Sequence, residues 1–215
     1  MAADYRLRCA GCGVLACKRG PEEREPPEHC PMVHRAELLA AVREAYGAPG
    51  EDRRLAQAAA RTEAAGYCRD TRVEEVMALA RRLEVEHLGL ACCVGLLRET
   101  ARAQAIFEAG GFRVSTVACK VGAMPKAELG LGRDEQVRDA DFEALCNPMA
   151  QARLLDDAGC GLHVLIGLCV GHDSLYFRHA RAPVTVLVAK DRVTGHNPAA
   201  VLYNARSYYR RLLED

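Results

Sequence analysis

The chain has 215 residues, half of them hydrophobic, and its 29 basic side chains balance 29 acidic ones. This length is sufficient for a buried apolar core without disulfide bonds, and the zero net charge offers no general attraction to nucleic acid or anionic lipid. No apolar run approaches the roughly 18 residues of a membrane-spanning helix, and the N-terminus lacks the apolar stretch of a secretory signal. We therefore expect a cytoplasmic protein, without nucleic-acid or membrane partners, in which the 11 cysteines stay reduced.

The first four cysteines are crowded near the N-terminus in the motif Cys9-x2-Cys12-x4-Cys17-x12-Cys30. A proline-rich, charged stretch over residues 20–31 indicates that the motif lies in a loop. Four thiolates can close a tetrahedral site, and the C-x2-C spacing places two sulfurs on one metal through a tight turn. The pattern therefore predicts a metal-binding knuckle over residues 1–34, and it leaves both zinc and an iron–sulfur cluster open as the metal.

Apolar residues at helical spacing predict two connecting helices over residues 35–66. In residues 67–215, the capping box Thr71-x-x-Glu74 opens a further helix, and short apolar runs then alternate with helical segments. Four of these runs predict buried strands, at residues 87–94, 112–119, 162–168 and 184–189. The alternation predicts an α/β domain, a three-layer sheet of about four parallel strands with flanking helices, preceded by the small cysteine-rich metal knuckle.

Two Asn-Pro pairs predict helix starts, because asparagine caps a helix and proline suits its first position. They are Asn147-Pro148 and Asn197-Pro198. The polar, glycine-rich stretch over residues 122–141 is long for a compact domain, so it predicts either a functional lid or a mobile loop.

Four further cysteines recur at intervals of 23 to 27 residues, which is close to the length of one strand–helix unit. In an open parallel sheet, ligands bind outside the carboxyl ends of the strands, and each of these cysteines falls at or near such an end. A helix N-terminus lowers the pKa of a nearby thiol, and the clearest case is the cysteine that precedes the Asn147 cap. We expect this set to form a cofactor site: Cys93, Cys119, Cys146 and Cys169. Apolar packing is favoured for the remaining Cys68, Cys92 and Cys160.

Two histidines lie at the same predicted edge, in Gly171-His172-Asp173 and in Gly195-His196. A glycine before each histidine allows the backbone to approach a ligand closely, so we expect both in the site. Lys120 and the group Lys190-Asp191-Arg192 could each hold an anionic substrate or lower the pKa of a thiol, and for the second group a solvated turn is the favoured alternative. The candidates for a catalytic role are Cys146, Cys169, His172 and His196.

Several segments resemble the prokaryotic cysteine-rich proteins grouped as domain of unknown function 1847 (DUF1847). They are Cys9-Ala-Gly-Cys12, GLACCVGLLRE, VACKVG, CNPMAQA, GLCVGHDSL and APVTVLVAKDRVTGHNP. Members of that family are described only as predicted metal-binding proteins, so the resemblance implies a metal and no particular reaction. By motif, it extends to Cys9, Cys12, Cys17, Cys30, Cys93, Cys119, Cys146, Cys169, His172 and His196.

We therefore expect a metal-binding protein with two sites: the N-terminal four-cysteine knuckle, and a cysteine/histidine centre at the C-terminal edge of the sheet. Zinc or an iron–sulfur cluster is expected in the knuckle. An iron–sulfur cluster is favoured at the edge, because thiolates beside protonatable histidines suit electron transfer coupled to protonation. The partner would then be a redox protein or a small-molecule substrate.

Two other functions remain open on the sequence. One is a metal-free enzyme in which Cys146 or Cys169 is the nucleophile and His172 its base. The other is a non-catalytic zinc carrier or sensor, whose fold would depend on the ion.

Overall fold

The structure is a computed structural model that describes residues 7–20 and 22–214. Residues 1–6 and 21 of the predicted knuckle lie outside the described residues. The chain divides into two compact units, Met1–Ala60 and Arg61–Asp215. The predicted division at residues 34 and 66 stays a prediction.

The first unit is built from a short turn, Cys9–Gly11, and helices. In chain order these helices are α1 (Ala16–Arg19), α2 (Pro31–His34), α3 (Ala36–Gly47) and α4 (Glu51–Gly66), the last of which runs past the boundary of the unit. The apolar side chains of α3 remain exposed, among them Leu38 and Tyr46.

The second unit alternates strands with helices, as the sequence predicts. Its elements are α5 (Arg72–Arg82), β1 (His87–Cys92), α6 (Leu97–Ala109), β2 (Arg113–Ala118), α7 (Pro148–Asp157), β3 (Leu162–Ile166), α8 (His172–His179), β4 (Val184–Val188) and α9 (Ala199–Tyr203). The capping box that opens α5 is present, since Thr71 and Glu74 each accept a hydrogen bond from the other's backbone N–H.

The four strands form one parallel sheet in the order β2-β1-β3-β4, which confirms the predicted α/β fold. β2 lies on one side of β1 in the sheet, and the chain then crosses over to place β3 on the other side of β1. Right-handed crossovers therefore place α6 on one face and α7 and α8 on the opposite face. Cys92 at the end of β1 pairs with Ala118 of β2 and with Ile166 of β3, so these three strands end level with one another.

The core lies at the two central strands. Five of the six residues of β1 and all of β3 are buried, and Leu90 and Val164 are fully inaccessible to solvent. Phe107 of α6 and Leu155 of α7 complete the core from the helices. This close packing fixes the positions of the strand ends, and the loops at the carboxyl edge start from these fixed positions.

Two details of the sequence prediction were wrong. The last helix begins at Ala199 with Pro198 at its cap, and the Asn197 side chain makes no capping bond. Cys68 is exposed in a left-handed turn (φ 54°) rather than packed, whereas Cys92 and Cys160 are buried as predicted.

The long stretch between β2 and α7 contains two short helical turns, Lys126–Leu129 and Arg133–Glu135. The Lys126 ammonium lies 2.6 Å from the Glu143 carboxylate, which also accepts the backbone N–H groups of Val137 and Arg138. These contacts tie both parts of the segment to Glu143, which lies just before Cys146. Within the described ranges, no helix is both long and apolar enough to cross a membrane.

A candidate thiolate centre at the sheet edge

The sheet register brings Cys93 and Cys119 together. Cys93 directly follows β1 and its N–H donates to the carbonyl of Ile166 (3.1 Å), while the N–H of Cys119 donates to the carbonyl of Cys92 (2.8 Å). The ladder between β1 and β2 thus continues one residue past the strand, and Cys119 lies close enough to Cys93 to lower the pKa of its thiol. Both cysteines are nearly inaccessible to solvent.

Cys146 joins this pair through the start of α7. The N–H of Asn147 donates to the carbonyl of Cys119 (2.7 Å), and the Asn147 side chain caps the helix by accepting from the N–H of Ala150 (3.0 Å). The two sulfurs of Cys146 and Cys119 lie 3.8 Å apart as a result. We call Cys93, Cys119 and Cys146, with their immediate partners, the thiolate centre.

Backbone N–H groups from the short turn Val94–Leu96 point at the sulfurs. The N–H of Val94 lies 3.4 Å from Sγ of Cys119, and the N–H of Gly95 lies 3.4 Å from Sγ of Cys93. Hydrogen bonds to sulfur favour the thiolate over the thiol, so this turn stabilises negative charge at the centre.

Cationic side chains from the loop after β4 also reach the sulfurs. Lys190 Nζ lies 3.5 Å from Sγ of Cys93, and Arg192 Nη2 lies 3.2 Å from Sγ of Cys169. Arg192 is exposed and lies in a turn, as the solvated-turn interpretation predicts, yet both basic side chains also approach a sulfur, as the alternative role of lowering a thiol pKa predicts. Lys120 donates to the carbonyl of Ala144 and lies close enough to Cys146 to favour its thiolate.

The two candidate histidines take different places. His172 is the first residue of α8 and hydrogen-bonds with Cys146, which raises the pKa of the imidazole. His196 instead accepts the N–H of Asp191 on Nδ1 (3.1 Å) and shapes the turn that carries Arg192. Asp173 accepts the N–H of Ser174 (2.8 Å) at the start of α8.

The three thiols of the centre differ in acidity because they share hydrogen bonds. Contact with Cys119, and then with His172, lowers the pKa of Cys146 to about 4. Contact with Cys119, followed by the Gly95 N–H and Lys190, lowers the pKa of Cys93 to about 5 against the effect of burial. The pKa of Cys119 is raised, first by Cys146 and then by Cys93, because its thiol proton lies between two thiolates.

The N-terminal cysteines are placed differently. The turn at Cys9–Gly11 brings the N–H of Cys12 to the carbonyl of Cys9 (3.1 Å), as a C-x2-C turn requires. Cys9 and Cys17 are exposed, and Cys12 and Cys30 are half-buried. In residues 7–20 and 22–214, no group of three or more Cys, His, Asp or Glu side chains is arranged to hold a metal ion. The predicted knuckle is not confirmed.

One residue of the site was missed by sequence reasoning. Gln151 of α7 is fully buried, and its Nε2 donates to the carbonyls of Val117 (2.6 Å) and Cys92 (3.1 Å) at the ends of β2 and β1. The available signal was its position, since it shares the buried stripe of α7 with Pro148, Ala152 and Leu155. A polar residue on an otherwise apolar stripe indicates a specific internal partner.

The family model for proteins of unknown function DUF1847 matches residues 30–187, a span that contains β1 to β3, all but the last residue of β4, and the three cysteines of the thiolate centre. The chain belongs to this family. It is also 31% identical over 208 residues to the "Uncharacterized protein MJ0455" of Methanocaldococcus jannaschii, an alignment that covers 97% of this chain and 99% of that protein. Membership in the DUF1847 family confirms the resemblance found in the sequence and adds no reaction.

Proposed function

We propose that this DUF1847 protein binds a thiophilic metal ion at the thiolate centre, with Cys119 and Cys146 as the first pair of ligands. The observation that carries the proposal is the 3.8 Å separation of their sulfurs. Two thiolates on one tetrahedral ion, each at about 2.3 Å, lie about 3.8 Å apart. The pair therefore has the spacing of two sulfurs on one metal atom.

The donor set suits zinc, or an iron atom that carries two cysteines in a two-iron cluster, because thiolates select such metals. Cys93 would supply the third ligand, and Cys169 or His172 the fourth. Lys190 and Arg192 hold the sulfurs of Cys93 and Cys169 in the structure, so an ion would have to displace these cations and the proton of Cys119.

The surrounding charges support the same proposal. A divalent ion with four thiolates carries a net charge of about −2, which is costly to bury unless cations lie nearby. Once displaced from direct contact, Lys190 and Arg192 would remain close to the sulfurs, and Lys120 adds a third positive charge beside Cys146. These basic residues would stabilise the loaded site.

The N-terminal cysteines are proposed as a second, separate metal site. The turn between Cys9 and Cys12 supports it, and the loop composition allows Cys17 and Cys30 to fold back onto the same ion. Binding would order this segment, as it does in small metal-dependent folds.

The test separates the two sites by mutation. In a variant with serine at Cys9, Cys12, Cys17 and Cys30, purified without oxygen, we expect metal analysis to find one equivalent of zinc or iron-containing cofactor per chain. Adding Cys119→Ser and Cys146→Ser should abolish this binding, whereas Cys160→Ser, which alters a buried thiol outside the centre, should leave it intact. Equal metal content in all three variants would refute the proposal. Ultraviolet–visible spectra distinguish a coloured iron–sulfur cluster, and with it a redox role, from colourless zinc.

A second candidate rests on the contact between Cys146 and His172. A thiolate beside an imidazolium is the pairing of an activated cysteine nucleophile. In this reading Cys146 attacks an electrophilic substrate directly and no metal is needed. Rapid alkylation of Cys146 in the isolated protein, unchanged by prior treatment with a chelator, would favour it over the metal site.

A further inference from the structure

A single buried amide connects the three chain segments that carry the thiolate centre. Gln151 lies on α7, whose start holds Cys146, and it bonds to the ends of the two strands that precede Cys93 and Cys119. Its contacts are with backbone carbonyls rather than with any sulfur. Gln151 therefore acts on the site through the positions of other residues.

The two hydrogen bonds fall where the sheet ladder ends. The carbonyl of Cys92 already accepts the N–H of Cys119, and Gln151 Nε2 is its second donor at 3.1 Å. The carbonyl of Val117, two residues before Cys119, accepts the other Nε2 hydrogen at 2.6 Å. Each carbonyl lies within two residues of a site cysteine, so a shift of α7 against either strand would change the distances between the sulfurs.

The side chain is poorly suited to a purely stabilising role. It is fully buried, and its Oε1 has no hydrogen-bond partner among the described residues. A buried polar atom without a partner opposes folding, and an apolar side chain of the same length would fill the space without that cost. What an apolar side chain could not do is donate to both strand ends at once.

We propose that Gln151 is a positioning residue that sets the 3.8 Å separation between Cys119 and Cys146 by tying α7 to the ends of β1 and β2. The inference rests on the proposed function, because the distance between the two sulfurs matters for binding a metal between them. The geometry itself can be measured without metal.

The test uses dibromobimane, which forms a fluorescent bridge between two thiols that lie close together. Each sulfur displaces one bromide, so two thioether bonds form and two bromide ions leave. Peptide mapping of the full-length, metal-free protein assigns the bridge to Cys119 and Cys146. We expect Gln151→Met and Gln151→Glu, which keep the length of the side chain and lose the Nε2 donors, to reduce the yield of this bridge about fivefold or more.

Val76→Ala is the matched control, since it removes buried apolar volume from α5, a helix that carries neither Gln151 nor a cysteine of the thiolate centre. It should lower the melting temperature and leave the yield of the bridge within about twofold of the parent protein. The result is taken from the Gln151 variant whose circular dichroism spectrum shows that it is folded. A yield in that variant equal to the parent's would overturn the role of Gln151.

The two proposals fail in distinguishable ways. A parent protein that forms the Cys119–Cys146 bridge but takes up no zinc or iron would contradict the metal site, and Gln151 would still be judged by the bridge. Loss of the bridge together with at least tenfold weaker zinc binding in Gln151→Met supports both proposals. The half-buried Cys146 thiolate reacts first, and the second arm of the tethered reagent then reaches the nearest thiol. A parent protein in which the reagent attached to Cys146 bridges to another cysteine in place of Cys119 contradicts the juxtaposition on which both proposals depend.

Discussion

The sulfurs of the four N-terminal cysteines have different surroundings from the sulfurs at the edge of the sheet. At the edge, two sulfurs accept backbone N–H groups, Cys93 and Cys169 meet cations, and the sheet fixes the spacing. In the N-terminal segment the thiols are exposed or half-buried. The comparison teaches that close spacing in the sequence does not by itself build a site. In a loop, the bound ion itself fixes the positions of its ligands. At strand ends, the sheet fixes the positions of the side chains before any ion binds.

The largest expected difference between the two regions is in packing. Leu90 on β1 is fully buried, so Leu90→Ala should lower the free energy of unfolding by about 3 kcal/mol through lost apolar contact and a residual cavity. Leu38 on α3 is 58% exposed, and Leu38→Ala should change the same quantity by less than about 0.5 kcal/mol. Urea unfolding followed by circular dichroism measures both. Equal losses would show that the N-terminal unit is as well packed as the sheet.

The next expected effect is on thiol reactivity. Because the pKa of Cys146 is lowered to about 4, its thiolate is fully formed from pH 6 to pH 8 and its alkylation rate should be nearly constant over that range. In the chain unfolded in urea, an ordinary thiol of pKa about 8.5 should react about 75-fold faster at pH 8 than at pH 6. Iodoacetamide labelling with peptide mass spectrometry reports both rates. If the alkylation rate of Cys146 in the folded, metal-free protein rises steeply with pH, the sheet edge does not stabilise its thiolate.

A smaller effect is the pH dependence of stability. A thiol whose pKa is lowered on folding stabilises the folded state fully above its unfolded pKa of about 8.5, and that contribution is lost as the pH falls through the folded value. For Cys146, whose folded pKa is about 4, the stability difference between the metal-free protein and Cys146→Ser should therefore shrink from pH 8.5 toward pH 4.

Cys160→Ser provides a control of opposite sign. Burial raises the pKa of Cys160, so this thiol destabilises the folded state as the pH rises above about 8.5 and has little effect below it. Replacing it with serine should therefore help most at high pH. If both variants show the same trend, the electrostatic account of Cys146 is wrong.

The smallest expected effect concerns the capping box at the start of α5. Thr71→Ala removes the capping box of α5 and should lower the free energy of unfolding by about 1 kcal/mol. The alkylation profile of Cys146 should not change, since the hydrogen bonds of the cap join Thr71 to Glu74 and to no residue of the thiolate centre. A shifted profile would mean that the chemistry of the centre depends on overall stability rather than on its local contacts.

Much of the α/β fold could be predicted because its signals are local. The apolar runs around Leu90 and Val164 have the length and composition of strands buried on both faces, and parallel topology then brings Cys93 and Cys119 to one edge. Asn147-Pro148 marks the start of α7, which places Cys146 at the same edge. The adjacency of these three sulfurs thus follows from secondary structure and topology.

What could not be predicted depends on the directions of side chains. The sequence Lys190-Asp191-Arg192 is compatible both with a solvated turn and with a role beside a thiol, and nothing local shows which sulfur each basic side chain approaches. Cys68 was expected to pack, but the chain turns there through a positive φ that the composition does not signal. Gln151 could be identified as a polar residue on a buried stripe, yet its carbonyl partners on two strands are visible only in three dimensions.

X-ray absorption spectroscopy tests the central claim most directly, because it counts the sulfur atoms bound to a metal. The sample is the protein with serine at Cys9, Cys12, Cys17 and Cys30, loaded with one equivalent of zinc, so that any sulfur ligand comes from the α/β unit. We expect at least three sulfur ligands at about 2.3 Å, and fewer after Cys119→Ser and Cys146→Ser. A shell of only nitrogen and oxygen, or one unchanged by these substitutions, would contradict a metal site at the sheet edge.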